Sequence, residues 1–579
     1  MSEIIFFFKT ILSISSKRNK IFFIVSSFVT VCAHLIQTVG LMLAIPFLTT
    51  IINQNIIFEN KYIYDVYLFL NFENNSNFII FLGLSFITIV GFGNLILGIS
   101  NYLQVYSIQS ITREVQNKLL YYYFHRDYSE LKNLDTSKDK SNLIIANDLD
   151  MKFLFPITEI IPKVILLLIL ISISLIIFFE FTLIGIFLIL IISIIIQKIL
   201  KRSLNIAGIQ IEKSNYNITK LIFNSFQIIK IIVLDNLQNF FLQKFQRENF
   251  NLIRHHSFSH FVSQSPKLVL EFVMTLFVVT ISLSLFFKES QNLIPTISFF
   301  AIFGYKIFPN LSHIYGYYNT AKSRIKTFKF IEKDILKMRK VKNLYKVEIV
   351  QKNIEKIFPK KTIQISFGSF GYHKNKKILQ RQILNFDVGK LNVIHGKTGS
   401  GKTTLINLMM GFIKNENVKI KIDDDLLTEN QKNFLRNKMS LVPQKIELID
   451  STIKKNILFD KKISVNDFDT ICKISNLNKF INSLPEKENT IIGENFQKIS
   501  GGQAQRISIA RSLVKKPKIL FLDEGTGQID RVTEKSILQN LLKLKITVIL
   551  ITHRVDYLKT FKNIKIFKIN NGIIRTNQD

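Results

Sequence analysis

The sequence predicts a polytopic α-helical membrane domain of six transmembrane helices, followed by a C-terminal α/β domain. Long runs without a charged side chain predict the membrane domain, and a change of pattern after about Lys340 predicts the second domain. The 579 residues allow several domains, and 47% apolar against 20% charged residues excludes a disordered chain. Two cysteines, Cys32 and Cys472, exclude a disulfide scaffold and a four-cysteine zinc site within one chain.

Six apolar runs are candidates for spanning helices, each of which needs roughly 20 mostly apolar residues. The first two contain no Asp, Glu, Lys or Arg, and the other four are shorter but have amphipathic flanks that can extend them. The runs are Ile21–Ile52, Ser76–Thr112, Val164–Phe179, Phe181–Gln197, Phe272–Phe287 and Asn292–Tyr305. The first run is too long for the apolar part of a cleavable signal peptide.

Basic residues set the predicted orientation. Lys and Arg are concentrated before the first run and in the long segments 113–140 and 198–254, so both termini and these segments are predicted to be cytoplasmic. We expect the helices to continue through these segments well beyond the bilayer; small cytoplasmic domains are the alternative. The predicted division is a membrane domain at 1–335, a linker at 336–361 and an α/β domain at 362–579.

One segment of the second domain fits the pattern G-x-x-x-x-G-K-[ST] between a strand and a helix, the context of a phosphate-binding loop. Backbone N–H groups at a helix N-terminus favour phosphate, and Lys402 would neutralise the β- and γ-phosphates while Thr403 ligates Mg²⁺. We therefore predict ATP and Mg²⁺ as cofactors. The loop comprises Gly396, Lys397, Thr398, Gly399, Ser400, Gly401, Lys402 and Thr403, followed by Thr404.

An apolar strand at Ile519–Leu522 ends in two carboxylates. Asp523 is placed to hold Mg²⁺, and Glu524 is placed to act as the general base for the attacking water. The alternative is a pair of solvated acids at a strand end. The phosphate loop upstream favours the catalytic interpretation.

Between these motifs, Ile499–Gln503 resembles the L-S-G-G-Q signature of the ATP-binding cassette (ABC) family. Other motifs of the family follow in order, and the resemblance implies their roles. Tyr372 matches the aromatic residue that stacks on adenine, Gln444 matches the Q-loop glutamine at the Mg²⁺ and catalytic site, Asp530 closes the D-loop, and His553 matches the switch histidine. The signature residues implied to bind ATP are Ser500, Gly501, Gly502 and Gln503.

The sequence departs from the family pattern at several positions. Ile499 replaces the signature Leu, and the D-loop reads Gly527–Asp530 instead of S-A-L-D. Gly525 stands where Ala is usual, and Phe496 stands where the exporter segment beginning at Thr490 usually has Gly. None of these changes removes a catalytic carboxylate, the lysine or the histidine, so we predict an active ATPase whose altered D-loop could slow hydrolysis.

Six helices followed by one cassette resemble an ABC exporter half-transporter (type IV). The resemblance implies a multi-pass protein of the bacterial inner membrane that works as a homodimer, because two ATP sites need two phosphate loops and two signatures. It also implies alternating access, with coupling helices near 126–134 and 219–236 resting on the cassettes.

Two lysines at membrane depth are candidate substrate residues. Lys267 could instead pair with Glu271, and Lys306 could extend to the interface. The surrounding stretches, with Ile36–Thr50, resemble the lipid-linked oligosaccharide flippase of bacterial N-glycosylation, which implies a polyprenyl-diphosphate glycan as cargo. A further basic residue expected in the second helix is absent from Gly91–Asn101.

Other functions stay open on the sequence alone. The same ATP-driven mechanism could export amphipathic drugs, other lipids or peptides. Alternatively, the cassette could gate a channel or dock a partner. The net charge of +34 suggests nucleic-acid binding as a further hypothesis. The predicted spanning segments argue against it. The aromatic outer segment Lys61–Leu70 is predicted to lie on the membrane, either as a helix cap or in contact with the lipid tail of the cargo.

Overall fold

The computed structural model describes residues 2–126, 136–287, 293–340, 360–371, 377–413, 418–423, 425–493, 498–561 and 564–576, some of them by their backbone alone. The chain divides into two compact units. The first unit contains the described residues up to 340, and the second contains those from 360 onward. The first is helical, whereas the second combines helices with two β-sheets.

In its described part the first unit consists of helices. They are α1 (Ser2–Ile14), α2 (Lys17–Met42), α3 (Ala44–Ile52), α4 (Ile56–Glu59), α5 (Lys61–Phe69), α6 (Asn75–Phe124), α7 (Thr136–Asn147), α8 (Phe155–Ile177), α9 (Phe179–Gln227), α10 (Ile229–Leu234), α11 (Gln238–Phe287) and α12 (Leu293–Lys340), with a π-helix at Asp150–Leu154. The six apolar runs lie in α2 with α3, α6, α8, α9, α11 and α12. The predicted fold class is therefore confirmed.

Among the residues that the structure describes, three spans are long and apolar enough to cross a membrane: Lys17–Ile52, Asn75–Phe124 and Asp150–Ile177. Shorter apolar helical stretches lie at Phe179–Leu188 and Glu271–Ser284. The membrane domain is thus supported by length and composition, whereas the number of six crossings stays a prediction.

Four helices continue far beyond the length that a bilayer needs. Helices α6, α9, α11 and α12 contain 50, 49, 50 and 48 residues. At 1.5 Å per residue each is about 75 Å long, against about 30 Å for the hydrocarbon core. The prediction of extended helices is confirmed for the described residues. Helix α12 also runs through residues 336–340, which the sequence assigned to the linker, because Met338 is buried in the helical core.

Helices α2 and α6 pack through small and polar side chains. The hydroxyl groups of Ser26 and Ser107 lie 3.1 Å apart. A Cβ atom on Gly93 would lie 3.0 Å from the backbone nitrogen of Gln37, so glycine permits this close approach. Large apolar side chains on the outer faces, including Phe28 at 66% exposure, present the surface that lipid contacts require.

Residues Lys61–Phe69 of the aromatic segment form helix α5. Tyr67 is buried and its ring packs edge-on against Phe78, with 5.2 Å between ring centres. Tyr62 and Phe69 are exposed on the same helix. One face of α5 is therefore anchored to α6, while exposed rings remain for an interface such as a membrane surface.

The second unit contains a small antiparallel sheet and a larger, mainly parallel sheet. The small sheet has the order β2-β1-β4-β5, formed by β1 (Thr362–Phe367), β2 (Gln382–Asp387), β4 (Lys419–Ile422) and β5 (Asp425–Leu426). The large sheet has the order β10-β9-β3-β8-β7-β6, formed by β3 (Leu391–Gly396), β6 (Met439–Val442), β7 (Ile519–Asp523), β8 (Thr547–Ile551), β9 (Ile564–Asn570) and β10 (Ile573–Thr576).

Helices cover both faces of the large sheet. They include α13 (Lys402–Met409), α14 (Glu429–Asn437), α15 (Ile453–Leu458), α16 (Val465–Ile474), α17 (Asn478–Asn482), α18 (Gly501–Leu513) and α19 (Arg531–Lys543). Every residue of β7 and β8 is buried, as central parallel strands require. Successive side chains alternate between two apolar cores: Leu520 and Leu522 point into one, and Phe521 points into the other.

Candidate functional site

The predicted site residues follow the carboxyl ends of four neighbouring parallel strands. The phosphate loop begins where β3 ends, and Glu524 follows β7 directly. Gln444 comes two residues after β6, and His553 comes two residues after β8. Because these ends meet at one edge of the sheet, residues far apart in sequence are brought together there.

Glycine is needed in the phosphate loop for its backbone shape. Gly399 and Gly401 have φ of +80° and +102°, in the left-handed region that other residues rarely adopt. A Cβ atom on Gly396 would collide with the carbonyl oxygen of Ile569 on the neighbouring strand. The loop can therefore wrap closely around a bound group with its N–H groups inward, as phosphate binding requires.

Polar groups of the loop fit a phosphate ligand. Lys402, buried at the start of α13, donates from Nζ to the carbonyl oxygens of Gly396 (2.9 Å) and Lys397 (3.1 Å). The Ser400 Oγ atom is buried without a hydrogen-bond partner in the described structure. A cation, an unsatisfied hydroxyl and a helix N-terminus thus converge on one loop, which fits the polyphosphate of ATP.

A hydroxyl and a carboxylate form the predicted Mg²⁺ position. Thr403 Oγ1 donates to Asp523 Oδ1 across 3.3 Å. Burial raises the pKa of Asp523, the neighbouring Glu524 raises it further, and the Thr403 hydrogen bond and the Lys402 charge oppose the rise. The described residues include no cluster of three His, Cys, Asp or Glu side chains that could hold a metal. The pair fits Mg²⁺, which takes few protein ligands and completes its shell with phosphates and water.

Glu524 lies between the two polar residues that the family resemblance singled out. Its Oε2 accepts a hydrogen bond from Gln444 Nε2 at 2.8 Å, and its Oε1 lies 3.0 Å from His553 Nε2. The backbone of Glu524 has φ of +50°, and its N–H donates to the carbonyl of Ile551. The carboxylate is therefore oriented from the ends of three strands, an arrangement that can fix a water molecule and accept its proton.

The signature segment begins helix α18. Ser500 Oγ accepts a hydrogen bond from the Gln503 N–H (3.2 Å), and Gln503 Oε1 accepts one from the Ser500 N–H (2.8 Å). This reciprocal capping box orders the first turn and leaves the N-terminal end of the helix facing outward at Gly501 and Gly502. Ile499 packs against an apolar core of the unit, so its replacement of leucine is mild.

The unusual D-loop rests on the signature helix. A Cβ atom on Gly501 would collide with Gln528 Oε1, and one on Gly502 would lie 2.9 Å from the Gln528 carbonyl oxygen. The Gln528 N–H donates to Gln505 Oε1 at 2.8 Å. Close packing against the D-loop backbone therefore requires glycine at 502, whereas at 501 the Gln528 side chain fills the space that glycine leaves. Gln505 is a positioning residue that the sequence did not reveal.

The rest of the D-loop is ordered by Arg554 and by a helix cap. Arg554 donates to the carbonyl oxygens of Ile529 (3.2 Å) and Gly527 (2.9 Å). Asp530 caps α19 by accepting from the Thr533 N–H at 2.9 Å, and this bond holds the pKa of Asp530 below its usual range. The position of Arg554 directly after the switch histidine is the signal that could have identified it.

Gly525 has a steric reason to differ from the usual alanine. A Cβ atom at this position would lie 2.7 Å from Val442 Cγ1 and 3.2 Å from the Val442 carbonyl oxygen. Both distances are shorter than ordinary van der Waals contact. The chain therefore combines glycine after Glu524 with a branched residue at the end of β6.

Several predicted positions lie outside the described residues. They are Tyr372, Glu494, Phe496 and the segment 127–134 of the first predicted coupling helix. Lys267 belongs to α11, of which the structure describes only the backbone at this residue. The second predicted coupling segment is described, and it contains the short helix α10.

In the membrane unit, Lys306 is half-buried on α12, where Asn310 donates to its carbonyl oxygen at 2.7 Å. It lies within electrostatic reach of His34 on α2. A second feature of this unit, which was not predicted from the sequence, is a buried ion pair between Glu159 and Lys163 on α8. Opposite charges four residues apart at the edge of an apolar run are the signal that could have revealed it.

Comparison with known proteins supports the cassette and the fold. Residues 379–527 match the family model described as ABC transporter. A Rickettsia typhi protein named as an export ATP-binding/permease protein is 35% identical over 222 residues, 37% of this chain and 38% of its own length. The ATP-dependent permease MDL1 of Candida albicans is 36% identical over 33% of this chain and 29% of its own length. The chain thus matches less than half the length of these relatives.

The fold resembles a solved structure along almost the whole chain. A bacterial Atm1-family ABC exporter with ATP bound superimposes with a TM-score of 0.74 at 19% identity, covering 96% of this chain and 94% of that one. Fold and site together show a helical membrane unit followed by a unit that matches the ABC transporter family model over residues 379–527. The architecture of the chain is the Atm1-type exporter fold.

Proposed function

We propose that this protein is an ATP-driven ABC exporter that couples ATP hydrolysis to movement of an amphipathic substrate across the membrane. The observation that carries the proposal is the meeting of Glu524, Gln444 and His553 at the sheet edge where β3 ends in the phosphate loop. This set contains the groups that phosphoryl transfer to water requires. The match at 379–527 and the exporter fold support the same proposal.

The proposal gives each residue of the site a role that the geometry supports. The loop from Gly396 to Thr404 holds the phosphates of ATP, and Lys402 faces the β- and γ-phosphates. Thr403, Asp523 and Gln444 would hold Mg²⁺, which would neutralise phosphate charge. Glu524 orients the attacking water and accepts its proton.

Gln444 and His553 fix both oxygens of that carboxylate, so its proton-accepting position is set before substrate binds. We assign the adenine contact to Tyr372.

A second copy of the chain completes each site in this proposal. One chain has one phosphate loop and one signature, so two ATP molecules are sandwiched between two chains. The outward N-terminus of α18 offers an anion site to the partner's ATP through Ser500, Gly501, Gly502 and Gln503. Asp530 contributes from the D-loop beside it. A homodimer is the simplest assembly.

For the cargo we propose a polyprenyl-diphosphate-linked glycan. In this proposal the membrane domain at 1–335 flips the glycan across a bacterial inner membrane, and the linker at 336–361 joins that domain to the cassette at 362–579. Lys306 supports this cargo because it is a half-buried cation about 20 Å along α12, at membrane depth. Lys267 is the second proposed anion contact. The alternative cargo is a drug, another lipid or a peptide, whose transport does not need a lysine at membrane depth.

The test is ATP-dependent flipping of a short polyprenyl-diphosphate glycan in proteoliposomes that contain the full-length protein. We expect flipping by the native protein, none by Glu524→Gln, and at least about tenfold slower flipping by Lys306→Gln through loss of a charged contact worth about 1.5–3 kcal/mol. Lys244→Gln, an exposed lysine on α11, is the matched control and should flip normally. ATP hydrolysis without flipping would refute this cargo and favour the alternative.

A further inference from the structure

A buried ion pair in the membrane unit has no role in the chemistry of the cassette. Glu159 and Lys163 lie one turn apart on α8, and each is only 5% exposed. Lys163 Nζ donates to Glu159 Oε2. At 1.5 Å per residue, Lys163 lies about 21 Å from the end of α8 at Ile177, which places it within the roughly 30 Å of a hydrocarbon core.

One carboxylate oxygen of this pair lacks a donor. Glu159 Oε1 is buried and has no hydrogen-bond partner among the residues that the structure describes. A buried charge is retained when it is both paired and fully hydrogen-bonded, and here only Oε2 meets this condition. The structure therefore leaves a place for an O–H or N–H donor at membrane depth.

The pair is bordered by polar residues that are only half-buried. The Lys163 Nζ atom lies 5.5 Å from the centre of the Tyr317 ring on α12, and Tyr317 is close enough to Glu159 to interact with its charge. His34 lies within electrostatic reach of both Lys163 and Lys306. Partly exposed side chains from α2 and α12 thus border the pair.

Charge restricts the chemistry of the missing donor. An ammonium group at Glu159 Oε1 would be repelled by Lys163, which shares the same carboxylate, and a phosphate would be repelled by Glu159. A neutral hydroxyl avoids both repulsions. Tyr317 offers a ring face and a hydroxyl of its own beside the pair, which matches the mixed apolar and polar surface of a sugar.

We propose that Glu159, Lys163 and Tyr317 form a binding site for the neutral, hydroxyl-rich glycan of the cargo. A sugar hydroxyl donates to Glu159 Oε1, and the Tyr317 ring packs against the sugar. Lys163 holds the carboxylate in place and neutralises it. This inference rests on the proposed function and specifies which part of the cargo the membrane unit recognises.

The probe is hexyl β-glucoside, titrated against the full-length protein in lipid nanodiscs and observed by saturation-transfer NMR. We expect saturable binding, at least about tenfold weaker in Glu159→Gln and about threefold weaker in Tyr317→Phe. The double variant Glu159→Gln/Lys163→Met removes both charges, so it does not leave one buried charge unpaired, which could cause misfolding. It should lose as much binding as Glu159→Gln does. Glu180→Gln, an exposed carboxylate on α9, is the matched control and should bind normally.

Three results would overturn the site: no glucoside binding by the native protein, unchanged binding in both Glu159 variants, or stronger Glu159-dependent binding of hexyltrimethylammonium than of the glucoside. The cargo proposal fails separately. Glu159-dependent glucoside binding without flipping of the lipid-linked glycan would refute that cargo and support the site. Flipping that is unaffected by the Glu159 variants would support the cargo and overturn the site.

Discussion

Glu524 adopts a left-handed backbone conformation, with φ of +50°, that glutamate rarely takes. Such positions persist where the surroundings hold them, and here Gln444, His553 and the Ile551 carbonyl each bind Glu524. The motif around it was visible in the sequence, because two carboxylates after an apolar strand form a local pattern. The backbone strain and the two side-chain partners were not visible, since they arise from three separate strand ends.

Cys472 illustrates how burial controls reactivity. It lies in an apolar core of the cassette, and burial, followed by the charges of Asp469 and Glu488, raises the pKa of its thiol to about 12. The thiol is therefore neutral at any pH below that value. Because the thiolate is the reactive form, we expect no maleimide labelling of native Cys472 at about pH 8 and full labelling after unfolding. Peptide mass spectrometry of a Cys32→Ser variant measures this, and rapid native labelling would contradict the buried position.

Substitution of Gly525 tests how the loop after β7 packs against β6. We expect Gly525→Ala to lower the free energy of unfolding by about 1–3 kcal/mol, because its Cβ atom would meet Val442. Val442→Ala removes the obstructing methyl groups, so the double variant should lose less than the sum of the single changes. Denaturant unfolding of the four proteins measures the coupling. Additive losses would show that the contact does not cause the departure from alanine.

Asp423 joins the start of β1 to the end of β4. Burial raises the pKa of Asp423, but hydrogen bonds from the N–H groups of Thr362, Lys360 and Lys361, with the Lys360 charge, lower it below its usual value. A carboxylate with a lowered folded pKa contributes stability above its unfolded pKa and loses it as the pH falls through the folded pKa.

We therefore expect Asp423→Asn to cost about 1 kcal/mol of stability at neutral pH. The difference from the native protein should shrink as the pH falls below about 4 and vanish below the lowered folded pKa, where the native carboxyl is protonated as well. Thermal unfolding at several pH values measures this. A constant difference at all pH values would assign the effect to the amide itself and not to the charge.

The elements of the cassette could be predicted because each motif lies directly after a strand or at a helix start. The contacts between elements could not. Gln505 and Arg554 are ordinary helix and loop residues in the sequence, yet they hold the backbone of the D-loop. Gln528 looked only like a departure from a family pattern, whereas in the fold its side chain occupies the space that glycine leaves at position 501.

The membrane unit shows the same limit. The uncharged runs predict the helices, but they do not include Glu159 and Lys163, which precede the third run. Their burial depends on helices α2 and α12, which pack beside α8 from distant parts of the chain. Helix α12 continues to Lys340, into a stretch that is charged in sequence, and Met338 near its end is buried in the helical core.

Across the whole chain, two kinds of site share one polypeptide. The cassette places charged groups at exposed strand ends, where phosphates and water have access. The membrane unit buries the ion pair of Glu159 and Lys163 and half-buries Lys306 among apolar helices. The proposed coupling of ATP hydrolysis to transport requires this division.

The most direct test of the proposed ATP-driven exporter is its ATPase activity. It is measured as steady-state ATP hydrolysis by the purified full-length protein in nanodiscs. We expect Mg²⁺-dependent phosphate release that falls at least about 100-fold in Glu524→Gln, because a positioned general base contributes about 10²–10⁴-fold. Binding of ATP should be unaffected in that variant, and Glu486→Gln, an exposed carboxylate elsewhere in the cassette, should hydrolyse ATP normally. Native rates in Glu524→Gln, or no hydrolysis by the native protein, would contradict an ATP-driven exporter.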